Sequence, residues 1–163
     1  MSIVFNAEEI FSIGIQIEKN GRIFYEQAAK QTSDPQVKKL FSELADWEGK
    51  HVEVFEDLKK GVPTESQSGE FSDPENMAYQ YLSASASDKV FVKEEDIVSI
   101  AASASTPQEA LEIAIGFEKD SVIYYTTMKH IVRDDLGKDK LDLLIKEEIN
   151  HIGQLTQELK SLA

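Results

Sequence analysis

The chain has 163 residues and a mass of 18.3 kDa, which is the length of one domain with a substantial hydrophobic core. Lys and Arg total 17 against 30 Asp and Glu, and the resulting net charge of −13 disfavours nucleic acid as a partner. The absence of cysteine excludes disulfides, thiolate nucleophiles, iron–sulfur clusters and cysteine-based zinc sites. Any chemistry must therefore use oxygen and imidazole groups.

The sequence contains no signal for a membrane or for secretion. No apolar run approaches the roughly 18 residues of a membrane span. The N-terminal sequence has no basic region ahead of its apolar residues. We therefore expect a cytoplasmic protein without a membrane partner.

Helix-start and helix-end signals divide the chain into four long predicted helices. Asn6 followed by Glu9 has the pattern of a capping box, and Asp34 and Thr106 each precede a proline in the first helical position. Apolar residues then recur at helical spacing, and a turn around Gly137 separates the last two helices. The predicted helices span residues 7–31, 35–60, about 106–133 and about 137–161.

Residues 61–105 have a different composition, rich in Gly, Ser, Pro and Ala, with signals for two weaker helices at about 73–86 and 93–103. We interpret this stretch as an accessory helical insertion. The short loops elsewhere predict that each pair of long helices forms an antiparallel hairpin, and 45 residues can travel the length of a helix. The sequence therefore predicts a single all-α domain, a four-helix bundle of two hairpins with one long crossover.

The two predicted hairpins are copies of each other offset by one hundred residues. The segment 18–25 (EKNGRIFY) aligns with 118–125 (EKDSVIYY), and the segment 48–52 aligns with 148–152. Each copy has a Glu followed thirty residues later by a Glu-x-x-His motif on the partner helix. A single Glu-x-x-His is a weak signal, but its recurrence in matched positions of an internal repeat is strong.

Glu18 and Glu118 lie within the apolar stripes of their helices and should face the bundle interior. Residues three apart on a helix point the same way, so each Glu-x-x-His pair can bind one ion. Four interior carboxylates would repel one another and lose their hydration, whereas two divalent cations would balance their charge of −4. The predicted metal ligands are Glu18, Glu48, His51, Glu118, Glu148 and His151.

This pattern resembles the ferritin-like superfamily, and within it the rubrerythrin-type diiron domains, over about 105 residues of the two hairpins. The resemblance implies a ferritin-like bundle that holds two iron ions. It also implies specific roles, with Glu18 and Glu118 as terminal ligands, Glu48 and Glu148 as bridging ligands, and His51 and His151 as the imidazole of each metal. The donor set also admits manganese or zinc.

The resemblance further implies a redox enzyme that binds Fe(II), reacts with O₂ or H₂O₂ and protects against oxidative stress. Rubrerythrins usually carry a rubredoxin domain with four cysteines. This sequence has none, so we expect an external electron-donor protein. A homodimer is also expected. Two alternatives remain open at this stage: ferritin-like iron binding with ferroxidase or storage activity, and a structural helical bundle without metal.

Five further positions concern the surroundings of the predicted ligands. Tyr25 and Tyr125 are either core aromatics or hydrogen-bond partners of the ligand carboxylates. Trp47 is interpreted as a packing residue. Rubrerythrins have another Glu one turn after the third-helix ligand, where this chain has Ser121, with Gly21 at the twin position. We expect these small residues to leave room for O₂ or peroxide beside the metals.

Overall fold

The computed structural model describes residues 6–63, 73, 75–85 and 93–163. Within these residues it contains six α-helices and no β-strand, so the all-α prediction is confirmed. The helices are α1 (Ala7–Gln31), α2 (Pro35–Lys60), α3 (Met77–Ser85), α4 (Glu94–Ser103), α5 (Pro107–Ile131) and α6 (Lys138–Ser161), and a 3₁₀ turn (Asp134–Leu136) precedes α6. None of the described helices is long and apolar enough to cross a membrane.

Side-chain hydrogen bonds fix where the first three long helices begin. The Asn6 side chain accepts from the Glu9 N–H at 2.8 Å, and the Glu9 carboxylate accepts from the Asn6 N–H at 2.9 Å. Asp34 Oδ1 accepts from two N–H groups in the first turn of α2. Thr106 Oγ1 accepts from the Glu109 N–H at 3.2 Å. These bonds satisfy backbone donors that have no partner inside the helix.

The predicted start of the first crossover helix, at residue 73, is wrong. The helix begins at Met77, because Asn76 has φ of 56°, a left-handed conformation that cannot continue into a right-handed helix. Asp73 instead accepts a hydrogen bond from the Tyr79 N–H at 2.8 Å, reaching the first turn of α3 from outside it. The predicted end, at about residue 86, lies outside the described residues.

The long helices pack as two hairpins, α1 with α2 and α5 with α6. Tyr25 of α1 contacts Glu118 of α5, and Glu18 of α1 contacts Tyr125 of α5. The later residue of α1 contacts the earlier residue of α5, so α1 and α5 are antiparallel. Since α2 is antiparallel to α1, α2 and α5 run parallel and the connection between them travels the length of the bundle.

The two short helices of the crossover pack on the outside of the α1–α5 pair. Helix α4 contacts α1 and helix α3 contacts α5. Each contributes a buried apolar anchor, Leu82 from α3 and Ile97 from α4. The crossover thus covers the groove between the first helices of the two hairpins.

The hydrophobic core consists of two clusters, one toward each end of the bundle. One cluster contains the large side chains Phe11, Phe55, Tyr125, Met128 and Leu141. The other contains Phe24, Phe41, Leu111 and Leu155. On every long helix, residues of one cluster precede and residues of the other follow the repeated Glu or Glu-x-x-His positions. A polar layer is therefore enclosed between two apolar ones.

Candidate metal centre

The structure brings all six predicted ligand residues together in this polar layer. The side chains come from four helices: Glu18 from α1, Glu48 and His51 from α2, Glu118 from α5, and Glu148 and His151 from α6. None of them is more than 4% exposed to solvent. Charged residues are rarely buried so completely unless they are paired or bind a metal.

The six residues form two overlapping groups. In each group one ligand atom per residue lies within 4.8 Å of the others, and the groups are Glu18, Glu48, His51 and Glu148, and Glu48, Glu118, Glu148 and His151. Glu48 and Glu148 belong to both groups, whereas the other carboxylates and the histidines belong to one each. This arrangement supports bridging positions for the two shared carboxylates and terminal positions for Glu18 and Glu118.

Both histidines have Nδ1 close to the carboxylates. His51 Nδ1 lies 3.0 Å from Glu148 Oε1 and 3.3 Å from Glu18 Oε2. His151 Nδ1 lies 3.1 Å from Glu148 Oε2 and 3.6 Å from Glu118 Oε1. The two imidazole rings stack with their centroids 5.6 Å apart. Two nitrogen donors are therefore aligned side by side against the carboxylate cluster.

The unpaired atoms of the cluster fit a cation. Glu18 Oε2, His51 Nδ1 and Glu148 Oε1 are buried and have no hydrogen-bond partner among the described residues. Yet both carboxylate oxygens lie within 3.3 Å of His51 Nδ1. Buried polar atoms without partners are costly and rare in native proteins. Oxygen and imidazole donors in this number suit a divalent transition metal, so the residues present fit the predicted ions.

Without a metal, protons take over part of the charge balance. Burial, followed by the charges of neighbouring carboxylates, raises the pKa of Glu118 to about 8 and raises the pKa of Glu48 well above its usual value. Burial alone would lower the histidine pKa values, but the adjacent carboxylates outweigh it and raise the pKa of His51 to about 11 and that of His151 to about 9. Burial would raise the pKa of Glu148, but its hydrogen bond with His151 and its close contact with His51 outweigh burial and lower it. The raised pKa values favour the protonated forms of Glu48, Glu118 and the two histidines in the metal-free cluster.

Two tyrosines hold the carboxylates in a crossed arrangement. The Tyr25 hydroxyl donates to Glu118 and the Tyr125 hydroxyl donates to Glu18, so each hairpin supplies the donor for the other hairpin's carboxylate. Burial, and then the charge of the accepting glutamate, raises both tyrosine pKa values. Of the two interpretations made from the sequence, the hydrogen-bonding one describes these residues, which are also buried in the core.

Two neighbours of the histidines, Glu147 and Trp47, make contacts that the sequence pattern did not predict. His51 Nε2 lies 2.9 Å from the carboxylate of Glu147, a residue that the sequence analysis did not consider. Trp47, interpreted as a packing residue, is 38% exposed, with its ring centroid 6.3 Å from that of His51 and 6.2 Å from that of His151. Positions 47 and 147 are equivalent in the repeat but hold different residues, Trp and Glu. This difference was the signal in the sequence that the two halves of the site have unlike neighbours.

A cavity of about 180 Å³ adjoins the cluster. It lies between α1 and α5 under α3 and α4, and Glu48, Glu118 and Tyr25 form part of its wall. Gly21 and Ser121 both line it, and a Cβ added at Gly21 would lie 3.2 Å from Glu48 Oε2. The small residues predicted to leave room beside the metals therefore do border an open space.

A bundle of two antiparallel hairpins with one long crossover and a buried layer of four glutamates and two histidines defines a ferritin-like protein of the diiron-carboxylate type. The sequence profile of the rubrerythrin family matches residues 9–98, and the chain belongs to that family. The whole bundle is also similar to a Thermotoga maritima protein whose 2.30 Å crystal structure is described as ferritin-like and diiron-carboxylate. The alignment covers 98% of this chain and 97% of that chain, with a TM-score of 0.71 and 25% identity. No curated protein matches the chain significantly.

Proposed function

We propose that this chain is a diiron redox protein that reacts with O₂ or H₂O₂ in protection against oxidants in the cytoplasm. Glu18, Glu48, His51 and Glu148 would hold one ion, and Glu48, Glu118, Glu148 and His151 the other. The observation that carries the proposal is the set of buried ligand atoms of Glu18, His51 and Glu148 that converge without hydrogen-bond partners among the described residues.

The chain's own residues would prepare this site for catalysis. The Glu147 carboxylate can only accept a hydrogen bond from neutral His51, which favours the tautomer with the proton on Nε2 and the Nδ1 lone pair toward the cluster. The Tyr25 and Tyr125 hydroxyls orient Glu118 and Glu18. The apolar clusters on both sides exclude water and lower the local dielectric. Bound iron would supply the one-electron redox steps, and an external donor protein would return the electrons.

An anaerobic Fe(II) titration tests the proposal, with the fluorescence of Trp47 as the signal. Trp47 is the chain's sole tryptophan and lies beside both histidines, so metal binding at the cluster should change its emission. We expect a break at two Fe(II) per chain, followed by rapid oxidation when O₂ or H₂O₂ is mixed in by stopped flow. Glu48→Gln should abolish the break, whereas Glu53→Gln, an exposed glutamate on the same helix, should preserve it.

The same preparation distinguishes the alternatives. No fluorescence change and no iron retained after desalting would reject the metal site and favour a structural bundle. Two bound Fe(II) that are oxidised in a cage-sized assembly, measured by native mass spectrometry, would favour iron storage over the redox role. A dimer that consumes oxidant only while a reductant is present would support the proposal.

A further inference from the structure

The cavity beside the cluster is larger than the oxidants require. Its volume of about 180 Å³ is several times the roughly 30 Å³ that one water molecule occupies in the liquid. An apolar cavity of about 150 Å³ holds a benzene molecule. The space therefore fits an organic molecule of about six to eight non-hydrogen atoms.

We propose that this cavity binds a small, neutral, largely apolar organic molecule that carries one hydrogen-bond acceptor. The binding site rests on the cavity itself. Its use as a substrate site beside the metals rests also on the function proposed above, because Glu48 and Glu118 belong both to the cavity wall and to the candidate metal groups.

The walls of the cavity are mostly apolar. Ile17 of α1, Phe117 of α5, and Ile97 and Ile100 of α4 line it. Such walls favour hydrophobic ligands, because burying apolar surface contributes roughly 25 cal/mol per Å². The side chains come from both hairpins and from the crossover, so the pocket forms only when the crossover is packed in place.

Two buried polar groups in the lining lack partners among the described residues. The Tyr124 side chain is 3% exposed, and its hydroxyl makes no hydrogen bond to a described residue. The Asn20 side chain is 7% exposed; its Oδ1 accepts from Gln16 Nε2 at 2.8 Å, but its Nδ2 finds no acceptor in the described part of the chain. The residue equivalent to Tyr124 in the first hairpin is Phe24, so this hydroxyl breaks the repeat at the cavity. An acceptor oxygen on the ligand would satisfy a donor of this kind.

Charge restricts the ligand to a neutral molecule. An ion of either sign would lose its hydration against the apolar walls. An anion would in addition meet the carboxylates of Glu48, Glu118 and Asp120, which line the cavity. A neutral ketone or similar carbonyl compound meets both conditions.

NMR titration of the full-length chain, both metal-free and loaded with diamagnetic Zn(II), tests the proposal. Cyclohexanone is the probe, toluene is a comparator of similar size without a carbonyl, and cyclohexanecarboxylate is the anionic comparator. We expect cyclohexanone to shift the backbone amides of Ser121 and Tyr124 saturably and to bind at least ten-fold more tightly than the carboxylate.

Two variants locate the binding site. Ser121→Leu should fill the cavity and weaken cyclohexanone binding at least ten-fold, whereas Ser42→Leu, an exposed serine on α2 with a comparable side-chain bond to a backbone carbonyl, should not. Tyr124→Phe should weaken cyclohexanone binding about five-fold and leave toluene binding unchanged, because only the ketone can use the hydroxyl. If Tyr124→Phe only disturbed the structure of the cavity, the binding of both cyclohexanone and toluene would change.

Unchanged cyclohexanone affinity in folded Ser121→Leu would overturn the proposal. If that variant does not fold, the absence of saturable shifts at Ser121 and Tyr124 with either neutral probe in the wild-type chain would overturn it equally. Failure of probe binding in a chain that takes up two metal ions rejects only the cavity proposal. Probe binding in a chain that takes up no metal rejects only the proposed redox function.

Discussion

At the scale of single residues, the candidate metal centre depends on hydrogen-bond partners that hold its ligand side chains in place. Tyr25 and Tyr125 give hydrogen bonds across the two hairpins. Glu147 binds the outer nitrogen of His51, whereas its twin Trp47 lies near His151 and can only donate a hydrogen bond. The two halves of the site therefore differ even though their ligand residues match. The aligned repeat predicted the matched ligands and shows that positions 47 and 147 differ. It could not predict which histidines these residues contact, because that depends on how α2 and α6 face each other.

Removing one tyrosine hydroxyl should weaken metal binding without removing a ligand. Tyr125→Phe leaves an oxygen of Glu18 without its donor in a buried site. We expect metal affinity to fall about ten- to a hundred-fold, the usual effect of losing a partner of a ligand. Competition titration with a Mn(II) chelator measures this. Tyr81→Phe on α3 is the control, and an equal loss in both variants would contradict the assignment.

Metal binding should displace protons, because the pKa values of His51, His151, Glu48 and Glu118 are all raised in the metal-free fold. Metal binding requires these groups to lose their protons, so proton release should accompany metal uptake at pH 7. Calorimetry in buffers of different ionisation enthalpy counts the released protons. Release of less than about one proton would contradict this charge balance.

The same pKa values set the pH dependence of stability. Because these pKa values are higher in the folded chain than in the unfolded chain, protonation stabilises the metal-free fold. This stabilisation is fully present at pH values below the pKa of each group in the unfolded chain. This contribution is lost as pH rises through about 8 for Glu118, 9 for His151 and 11 for His51. The melting temperature of the metal-free chain should therefore fall between pH 7 and pH 10. A melting temperature that rises between pH 7 and pH 10 would contradict the predicted direction.

At the scale of helices, local chemistry predicts most boundaries. Asn6, Asp34 and Thr106 make the side-chain caps that their sequence patterns indicated. The signal at Asp73 failed, because its carboxylate reaches a helix that begins after the left-handed Asn76. Residues that favour helix caps also occur in loops. At Asp73, the φ angle of Asn76 shows that the residue lies in a loop and not at the helix start.

The turn before α6 is a second position at which backbone conformation decides. Gly137 has φ of 90°, and an added Cβ would lie 2.2 Å from Leu58 Cδ2. Gly137→Ala should cost about 2 to 4 kcal/mol of unfolding free energy from backbone strain and overpacking. Gly153→Ala, in the middle of α6 with nothing within 4 Å of the new Cβ, should gain about 0.5 to 1 kcal/mol. Urea unfolding measures the stability of the two variants. Equal changes in unfolding free energy would contradict the special role of the Gly137 backbone conformation.

At the scale of the whole molecule, two apolar clusters enclose one polar layer, and the crossover covers one side of it. The internal repeat predicted the layer, because each ligand recurs at an offset of one hundred residues. The cavity could not be predicted, because it depends on how α3 and α4 pack over the α1–α5 groove. Periodicity within a segment contains no information about where a weakly patterned helix docks.

Metal ions should add to the stability of this molecule, since they replace repulsion among buried carboxylates. Binding at a hundred times the dissociation constant contributes about 2.7 kcal/mol per site, or about 5 kcal/mol for two. For a chain of this size we expect Mn(II) to raise the melting temperature by about 10 to 20 °C. Differential scanning calorimetry measures the shift. His51→Ala should lose most of it, and a shift that persists in this variant would place the metal elsewhere.

The most direct test of the central claim is the anomalous diffraction of iron-loaded crystals at the iron edge. We predict two anomalous peaks per chain in the layer between the apolar clusters, one adjoining Glu18 and His51 and the other adjoining Glu118 and His151, with Glu48 and Glu148 contacting both. Peaks confined to surface carboxylates, or an empty cluster in crystals that contain iron elsewhere, would contradict it.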